Sequence, residues 1–460
     1  MSVRAAYDKL LLLTVSRMVA NFNRRKQHDL ARSTEKSRIY RPFYLMGYEK
    51  TQWLRREDLD RLTEKSLRFL VSYAYENVPY YHRMMKKHGI SPDSMRTIKD
   101  LSRMPILTKQ IIRDNFDSLI SKSVPSQHRI LLETGGSTGV PLRFYSTQVA
   151  DTRAWASMFR ARFWQGTVRN YRMAQISGTV PQPNGWKRNE IFFSAFEISE
   201  EIFPRVADEL AKFRPRHITG YASYLALLAN YLIENGVDNI RPYAVETQSE
   251  MVFPHMRRAI EEAFQCPVFD HYGCKETTIK ACECSRHEGY HISVENGLVE
   301  TIKDGDQVVG EYGSILMTDF WNLAMPFIRY DVGDSAVISD DTCSCGRSLP
   351  LIESILGRNN DIVVLPHGRF LPGEFFPHIL KDVSGIRQYQ VIQDSLRSFT
   401  VKMVKSRTFG DKDKQLLLSN LANWLGNEIE VNLEYVDDIS LSPTGKQKIV
   451  VSKLGREKLA

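Results

Sequence analysis

The sequence predicts an α/β fold, with a large N-terminal body followed by a small α+β domain. Over residues 173–273, short apolar runs typical of buried strands alternate with runs whose apolar residues lie three and four positions apart, as in amphipathic helices. This alternation indicates helices layered on a sheet. From Gly357 onward, four strand-like runs accompany one helix-like run, which indicates a separate unit of about 100 residues.

Residues 1–41 are predicted to form a basic segment with one amphipathic helix. Their net charge is +7, and apolar residues recur there at helical spacing, at Leu11, Val15, Met18 and Phe22. Such a helix either lies on the anionic surface of a membrane or packs on the protein body, and the second use is the more common one. A signal peptide is not expected, because the unbroken leucine run is only four residues long.

The body is predicted to begin with helices and to continue with alternating strands and helices. Apolar residues three and four positions apart predict helices from Leu59 to Phe116. Strand-like runs follow at 173–178, 241–248 and 266–273, and helix-like runs lie at 224–235 and 255–264. No apolar run approaches the roughly 20 residues that a membrane-spanning helix needs.

The C-terminal unit is predicted to begin in the run LGRNND at 356–361, where the pattern changes. Its strand-like runs occupy 388–393, 398–404, 429–436 and 447–454, and its helix-like run occupies 412–425.

The charge of the chain is concentrated at its N-terminal end. The chain carries +8 in total, so the residues after Arg41 together carry about +1. A nearly neutral body argues against a nucleic-acid-binding groove, which needs a basic surface. Hydrophobic residues make up 42% of the chain, which is enough for a large core and excludes a largely disordered protein.

Five short motifs carry groups suited to a nucleotide. They are TGGSTG at 134–139, DHYGCKET at 270–277, FIRYDVGD at 327–334, LGRNND at 356–361 and SPTGKQK at 442–448. The glycines of the first motif let a phosphate approach backbone N–H groups, and its hydroxyl groups suit phosphate oxygens. Taken singly, this motif is equally explained by a glycine turn between two strands, and each of the others by a surface loop.

The order of the five motifs resembles that of the adenylate-forming superfamily. Within it, the chain resembles the phenylacetate–CoA ligase-like branch, which includes proteins from capsule and polysaccharide clusters. The resemblance covers about residues 40–455. It implies a large multi-sheet adenylate-forming domain at 42–356, a small mobile α+β lid domain at 357–460, and a hinge at Gly357–Asp361.

The resemblance assigns nucleotide-binding residues one by one. Matching the phosphate loop that steadies the leaving pyrophosphate are Thr134, Gly135, Gly136, Ser137, Thr138 and Gly139. Matching the walls of the adenine site are Ser249, Glu250, His271, Tyr272 and Gly273. Asp334 and Arg358 match ribose contacts. Glu276, which matches the carboxylate that holds Mg²⁺, and Lys446, which matches the lid lysine at the reacting carboxylate and α-phosphate, are the predicted catalytic residues.

Three positions depart from the superfamily pattern. Leu142 and Arg143 follow the proline of the phosphate loop, where many members have a lysine that this branch commonly lacks. Lys275 replaces a hydroxyl residue before the Mg²⁺-binding glutamate, and Asn360 replaces an aspartate common at the hinge. The last two departures bear on turnover more than on nucleotide binding.

The clustered cysteines predict a structural zinc site. Without an export signal, metal ligation is a better use of clustered thiols than disulfides, and three thiolates with one imidazole close a tetrahedral Zn²⁺ site. The predicted ligands are Cys284, His291, Cys343 and Cys345. The resemblance favours Cys284 over Cys282, because some members of the branch have similar ligand spacing. Ordinary reduced cysteines are the alternative, and His287 is the reserve imidazole.

The resemblance implies ATP-dependent activation of a carboxylic acid to an acyl-AMP, followed by acyl transfer to the thiol of coenzyme A. Two alternatives remain, which are transfer to an amine or hydroxyl group in polysaccharide biosynthesis and nucleotide binding without turnover. A cytoplasmic location is predicted, with peripheral contact of residues 1–41 to the inner face of the membrane left open. The sequence identifies neither the acid nor the oligomeric state.

Overall fold

The computed structural model of the chain describes residues 36–134, 142–167, 171–177, 189–194, 202–249, 252, 254–357, 362–366, 370–372, 375–380, 383, 385–405, 408–426, 428–439 and 450–454. The chain divides into two compact units. The larger unit takes the chain up to Leu132 together with Arg143–Leu356, and the smaller takes Glu133–Leu142 together with the chain from Gly357 onward. Residues 1–35, which hold most of the predicted basic segment, lie outside the described residues.

The described part of the larger unit begins with helices, as the apolar spacing predicts. They are α1 (Lys36–Thr51), α2 (Arg56–Asn77), α3 (Pro79–Lys87), α4 (Lys109–Asp114) and α5 (Phe116–Leu119). One stripe of α2 is buried, including Leu59, Leu67 and Leu70. The N–H group of Ile111 donates to the Thr108 side chain, which caps the start of α4. Across the described residues, no helix has the length and apolar character needed to cross a membrane.

A two-stranded sheet of β1 (Ile130–Glu133) and β2 (Arg143–Ser146) comes next, and helix α6 (Gln148–Trp164) follows it. Five parallel strands follow, with a helix before each of the last three. They are β3 (Met173–Ser177), β4 (Glu190–Ser194), β5 (His217–Tyr221), β6 (Ala244–Gln248) and β7 (Val268–Tyr272), with α7 (Phe203–Phe213), α8 (Ala222–Glu234) and α9 (Pro254–Phe264) between them. The strands and helices predicted over residues 173–273 are therefore present.

The rest of the body adds seven strands that the sequence analysis did not predict. They are β8 (Ala281–Glu283), β9 (Tyr290–Ile292), β10 (Gly297–Lys303), β11 (Asp306–Gln307), β12 (Tyr312–Asp319), β13 (Tyr330–Ser339) and β14 (Leu351–Gly357). Within the described chain, β3 to β14 form one continuous sheet in the order β11-β10-β12-β13-β14-β9-β8-β7-β6-β5-β3-β4. Strand β7 pairs with the parallel strand β6 on one side and with the antiparallel strand β8 on the other.

The smaller unit has its own core, as the change of pattern after Gly357 predicts. Its elements are β15 (Ile362–Val364), β16 (Phe370–Pro372), α10 (Phe375–Leu380), β17 (Ile386–Ser395), β18 (Ser398–Lys405), α11 (Asp411–Leu425), β19 (Glu430–Tyr435) and β20 (Val450–Ser452). The sheet order is β19-β18-β17-β20. Helix α11 buries Leu417, Leu421 and Leu425, which lie four residues apart on one face. They join Phe376 and Phe399 in the core.

Candidate active site and metal centre

A cleft of about 330 Å³ lies in the larger unit between helix α6 and the parallel strands. From α6 it is lined by Ala150, Asp151, Ala154, Trp155, Met158 and Arg162. From the strands it is lined by Gln175, Thr219, Gln248 and His271. Residues 274–278, which follow β7, complete this side of the cleft. A cleft of this size near the carboxyl ends of parallel strands suits a small ligand.

The loop after β7 brings the predicted Mg²⁺ ligand Glu276 into the cleft. The side chain is buried, and the hydroxyl group of Tyr330 donates to its Oε1 atom at 2.8 Å. Tyr330 is itself buried, and burial raises the pKa of its hydroxyl group, which therefore stays protonated and keeps donating. One oxygen of the Glu276 carboxylate is thus held in a fixed direction.

The two predicted adenine-wall residues at the end of β7 have different surroundings. Neighbouring residues of a strand point to opposite faces of the sheet. His271 lines the cleft, whereas the Tyr272 hydroxyl group donates to Asp334 Oδ2 at 2.7 Å. Burial and the nearby Asp334 carboxylate raise the pKa of Tyr272. The structure therefore joins Tyr272 to the predicted ribose ligand Asp334 and places His271 on the other side of the strand.

Gly273 follows directly and has no room for a side chain. A Cβ atom there would lie 2.8 Å from the Cδ atom of Lys280 and 3.2 Å from the carbonyl oxygen of Ile279. Glycine thus lets the loop close over Lys280, whose ammonium group donates to the carbonyl oxygen of Cys274 at 3.1 Å. Ser249, directly after β6, is exposed and has a φ of 68°, a left-handed conformation that is uncommon for serine.

Only the first residue of the predicted phosphate loop lies among the described residues. Thr134 closes the loop against Leu142, because its Oγ1 atom accepts from the Leu142 N–H group at 2.9 Å and its N–H group donates to the Leu142 carbonyl oxygen at 3.0 Å. The predicted site residues outside the described chain are Gly135, Gly136, Ser137, Thr138, Gly139, Glu250, Arg358 and Lys446. Asn360 lies outside it too.

A buried charged network borders the cleft, and sequence reasoning missed it. Glu246 on β6 is fully buried, and its Oε1 atom accepts from Arg162 Nη2 at 2.9 Å and from Thr219 Oγ1 at 3.0 Å. His217 and His271 flank the same carboxylate, at 3.7 Å and 3.6 Å respectively. Arg162 and Glu246 are 84 residues apart in the chain, so their pairing has no local sequence signal.

The ionisation of this network follows from burial and pairing. Burial opposes ionisation of Glu246, but the adjacent Arg162 guanidinium outweighs it and holds the pKa of Glu246 well below its usual value. Burial lowers the pKa of His217, and it lowers the pKa of His271 to about 4. At neutral pH the network therefore contains one cation, one anion and two uncharged imidazoles.

The four predicted zinc ligands come together on one side of the body. The ligand atoms of Cys284, His291, Cys343 and Cys345 all lie within 4.8 Å of one another. Cys284 Sγ is 3.6 Å from Cys343 Sγ, and Cys345 Sγ is 3.3 Å from His291 Nε2. A tetrahedral Zn²⁺ ion with Zn–S bonds of about 2.3 Å needs sulfur atoms about 3.8 Å apart, so the spacing fits that ion.

Two loops and one strand position these ligands. Cys284 follows β8, His291 lies in β9, and the two remaining cysteines precede β14, which pairs with β9. The turn after Cys343 closes with a hydrogen bond from the Gly346 N–H group to the Cys343 carbonyl oxygen at 3.1 Å, and Gly346 has a φ of 80°. The ring of Trp164 lies edge-on to His291, with 5.4 Å between ring centroids.

The protonation of the cluster also suits a metal ion. Burial lowers the pKa of His291 to about 4, which keeps its imidazole neutral and able to bind a metal. Burial raises the pKa of the Cys284 and Cys343 thiols, so without a cation they would stay protonated. Burial acts in the same direction on Cys345, but a hydrogen bond from the Arg347 N–H group lowers its pKa. Cys282 lies outside the cluster, with its Sγ atom 4.0 Å from Met158 Sδ.

Comparison with known proteins relates the chain to two groups over most of its length. It is 25% identical over 425 residues to Protein CapK of Staphylococcus aureus, covering 88% of this chain and 92% of that protein. It is 24% identical over 434 residues to the phenylacetate-coenzyme A ligase of Thermus thermophilus, covering 87% of this chain and 96% of that protein. Residues 363–453 match the family model of the CapK C-terminal domain.

The chain is a relative of the phenylacetate–CoA ligases and of CapK. The resemblance to the phenylacetate–CoA ligase-like branch of the adenylate-forming superfamily is therefore confirmed. Its fold agrees with this relation. The structure of 2-hydroxyisobutyryl-CoA ligase with 2-HIB-AMP and CoA matches with a TM-score of 0.63 at 19% identity, covering 88% of this chain and 92% of that one. The predicted α/β body with a small C-terminal α+β domain is thus confirmed as well.

Proposed function

We propose that this relative of the phenylacetate–CoA ligases activates a carboxylic acid with ATP and transfers the acyl group to the thiol of coenzyme A. One observation carries the proposal, namely that Glu276 lies in a cleft of ligand size in a chain related over 87% of its length to a coenzyme A ligase. The other predicted nucleotide-binding residues are assigned by the motifs that resemble the superfamily.

In the first step, a carboxylate oxygen of the acid bonds to the α-phosphorus of ATP, and the bond to the β-phosphate breaks. Because two anions meet, positioning and charge neutralisation supply most of the catalysis. In this proposal, Gly135–Gly139 hold the β- and γ-phosphates through backbone N–H groups, and Lys446 reaches the α-phosphate. Glu276, which Tyr330 holds in place, would hold Mg²⁺, and the ion would offset phosphate charge there.

The nucleoside is proposed to lie along Tyr272. The aromatic ring gives a stacking surface for adenine, and the hydrogen bond from Tyr272 to Asp334 orients a carboxylate toward the ribose hydroxyl groups. Ser249, Glu250 and Gly273 form the remaining walls in this assignment, with Arg358 as a second ribose contact.

In the second step, the thiol sulfur of coenzyme A bonds to the acyl carbon, AMP leaves, and the thiol proton passes to solvent. We assign residues 357–460 to a lid that turns between the two steps at Gly357–Asp361, while residues 42–356 hold the adenylate. Such a movement is a common gating device in enzymes with two half-reactions. The Cys284, His291, Cys343 and Cys345 cluster is assigned a structural Zn²⁺ ion.

The test is acid-dependent pyrophosphate release by the purified protein with ATP, Mg²⁺ and a broad panel of carboxylic acids. We expect release with a subset of acids and a thioester, identified by mass spectrometry, when coenzyme A is added. Absence of acid-dependent release across the panel contradicts the proposal. ATP binding without release would favour a nucleotide-binding protein without turnover, the outcome suggested by Lys275 and Asn360.

Replacement of the lid lysine tests the mechanism. Lys446→Ala is expected to lower the rate of adenylation by at least about a hundredfold, because a charge-stabilising group is lost, and to leave ATP binding nearly unchanged. Lys448→Ala, two residues away in the same motif, is the matched control and is expected to keep its activity. Equal rates for Lys446→Ala and the wild type would contradict the assigned role.

A second candidate differs only in the acyl acceptor. The alternative acceptor is an amine or hydroxyl group on a sugar or polymer, and it is kept because the branch that the chain resembles includes proteins from capsule and polysaccharide clusters. Substitution of amino sugars and hydroxylated acceptors for coenzyme A in the same assay distinguishes the two candidates. The cytoplasmic location and the membrane contact of residues 1–41 stay predictions, and vesicle sedimentation with and without these residues tests the second.

A further inference from the structure

The wall of the cleft formed by the sheet is unusually polar for a parallel sheet. Strands covered on both faces are normally rich in Val, Ile and Leu. Here Gln175 on β3 is in register with Thr219 on β5, and Thr219 is in register with Glu246 on β6. These three polar residues form a row across neighbouring strands, with Gln248 and His271 further toward the carboxyl ends. Only Glu246 among these five does not itself line the cleft.

Polar groups in a sheet interior cost free energy unless they are paired, so this polar row needs hydrogen-bond partners. Glu246 is paired with Arg162 and Thr219. His271, whose side chain is 11% exposed, lines the cleft, and its buried Nδ1 atom lies 3.6 Å from Glu246 Oε1. The charged part of the row is thus paired away from the cleft, and the side chains of Gln175, Thr219, Gln248 and His271 line the cleft itself.

The charge of the row limits what that ligand can carry. The Arg162 guanidinium and the Glu246 carboxylate neutralise each other, and His217 and His271 are uncharged at neutral pH. The row itself therefore offers no opposite net charge to a second carboxylate or an ammonium group, and the charged side chains that also line the cleft lie outside the row, at Asp151, Lys275, Glu276, Lys280 and Asp319. Neutral hydroxyl or amide groups can exchange hydrogen bonds with Gln175 and His271, and they can donate to Thr219 Oγ1, whose own proton is donated to Glu246.

The facing wall is apolar in its middle, where Ala154, Trp155 and Met158 of α6 line it between Asp151 and Arg162. A ligand with a carbon skeleton on one side and hydrogen-bonding groups on the other fits between the two walls. We propose, given the function proposed above, that the cleft binds the acyl chain and selects carboxylic acids bearing neutral hydroxyl or amide groups over apolar acids of equal size. His271 then belongs to the acyl side of the site, and Tyr272 alone of this pair to the nucleotide side.

The test compares acyl-sulfamoyl adenosines, stable analogues of acyl adenylates, in pairs of equal carbon number. One pair is hexanoyl and its polyhydroxylated counterpart gluconoyl, and another is phenylacetyl and 4-hydroxyphenylacetyl. Calorimetry is expected to show tighter binding of a hydroxylated member, by up to about tenfold for each well-placed hydrogen bond. Equal or tighter binding of the apolar members in every pair overturns the inference.

Matched variants connect the preference to the wall. Thr219→Val is expected to reduce the preference about tenfold by removing a hydroxyl group at nearly constant volume. Thr247→Val is the control, because Thr247 on β6 is also fully buried and donates to a buried carboxylate, Asp270 Oδ1, at 2.6 Å, but does not line the cleft. Equal preferences in the two variants overturn the inference.

A second variant of the wall and a separate assay of pyrophosphate release complete the test. Gln175→Leu gives a second reading of the wall if Thr219→Val does not fold, and it is expected to reduce the preference too. Pyrophosphate release is measured separately with the same acids. A protein that prefers the hydroxylated analogue but releases no pyrophosphate supports this inference and contradicts the proposed function.

Discussion

Single hydrogen bonds decide how the candidate site is held. Tyr330 donates to Glu276 and Tyr272 donates to Asp334, so each of these two carboxylates has one oxygen held by a tyrosine hydroxyl group. A carboxylate with one oxygen fixed loses less rotational freedom on binding a cation or a ribose than a free one does. These two hydrogen bonds therefore orient the carboxylates before any ligand binds.

Removal of the Tyr330 hydroxyl group tests this prearrangement. Tyr330→Phe is expected to lower the rate of adenylation about tenfold and to raise the Mg²⁺ concentration needed for half-maximal rate, because Glu276 loses its donor. Tyr290→Phe is the control, since Tyr290 donates to Asp270 Oδ2 at 2.8 Å away from the cleft lining. An unchanged Mg²⁺ requirement in Tyr330→Phe would show that the bond does not position the glutamate.

Asp270 makes stability depend on pH in a direction unusual for an aspartate. Burial raises the pKa of Asp270 to about 7, against the hydrogen bond from Thr247, whereas the unfolded value is about 3.9. Between these values the folded state keeps a proton that the unfolded state has lost. The contribution of Asp270 is thus fully present below about pH 4 and is lost as the pH rises toward 7, at about 1.4 kcal/mol per unit.

The Asp270→Asn variant isolates this effect. Its stability relative to the wild type is expected to increase as the pH rises from 5 to 7 and to level off above, because asparagine does not ionise. Unfolding midpoints in urea across this pH range measure the difference. Asp60→Asn is the control, because it makes the same change at a residue that is about half exposed on α2. A flat difference for Asp270→Asn would mean that the carboxyl group ionises normally.

At the scale of elements, the Cys284, His291, Cys343 and Cys345 cluster, to which we assign a zinc ion, lies where separate segments of the body meet. It links the turn between β8 and β9 to the segment before β14, and the Arg347 side chain then lies over Trp164 of α6 at 4.6 Å. The Trp164 indole donates to Gln52 Oε1 at 2.8 Å, which extends the contacts to the chain just after α1. Loss of the ion is thus expected to loosen several elements together.

Metal analysis of cysteine variants tests the cluster. The wild type is expected to hold about one zinc ion per chain, and Cys284→Ser to lose it and to unfold at a lower temperature. Cys282→Ser, which changes a buried thiol two residues away, is expected to keep the ion. Zinc retained by Cys284→Ser but lost from Cys282→Ser would reverse the ligand assignment.

The same scale shows what a sequence can predict. The spacing of three cysteines and one histidine predicted a shared site. Short apolar runs between amphipathic helices predicted strands of the parallel half of the sheet. Strands β8 and β9 are three residues long, too short for a periodic pattern to appear. From sequence alone, Arg162 is expected to be an exposed residue of a helix and Glu246 an exposed residue of a strand. Their pairing could not be predicted, because only the packing of α6 on β6 brings the two charges together.

At the scale of the whole molecule, the order of motifs along the chain carried more information than any one of them. Each motif alone was compatible with a surface loop. Five in order indicated a two-domain fold, and the relation to CapK and the phenylacetate–CoA ligases agrees with it. Specificity for the acid lay beyond this reasoning, because in our proposal it depends on which strand residues face α6 across the cleft.

The place of β14 in the large sheet has a consequence for synthesis on the ribosome. Although it is the last strand of the sheet in sequence, β14 lies between β13 and β9. Until residues 351–357 emerge, the two halves of the sheet each present an unpaired edge, and such edges invite pairing with other chains. A nascent chain that stops just short of Leu351 is therefore expected to need protection by chaperones, whereas one that continues past Gly357 can close its sheet before the smaller unit is made.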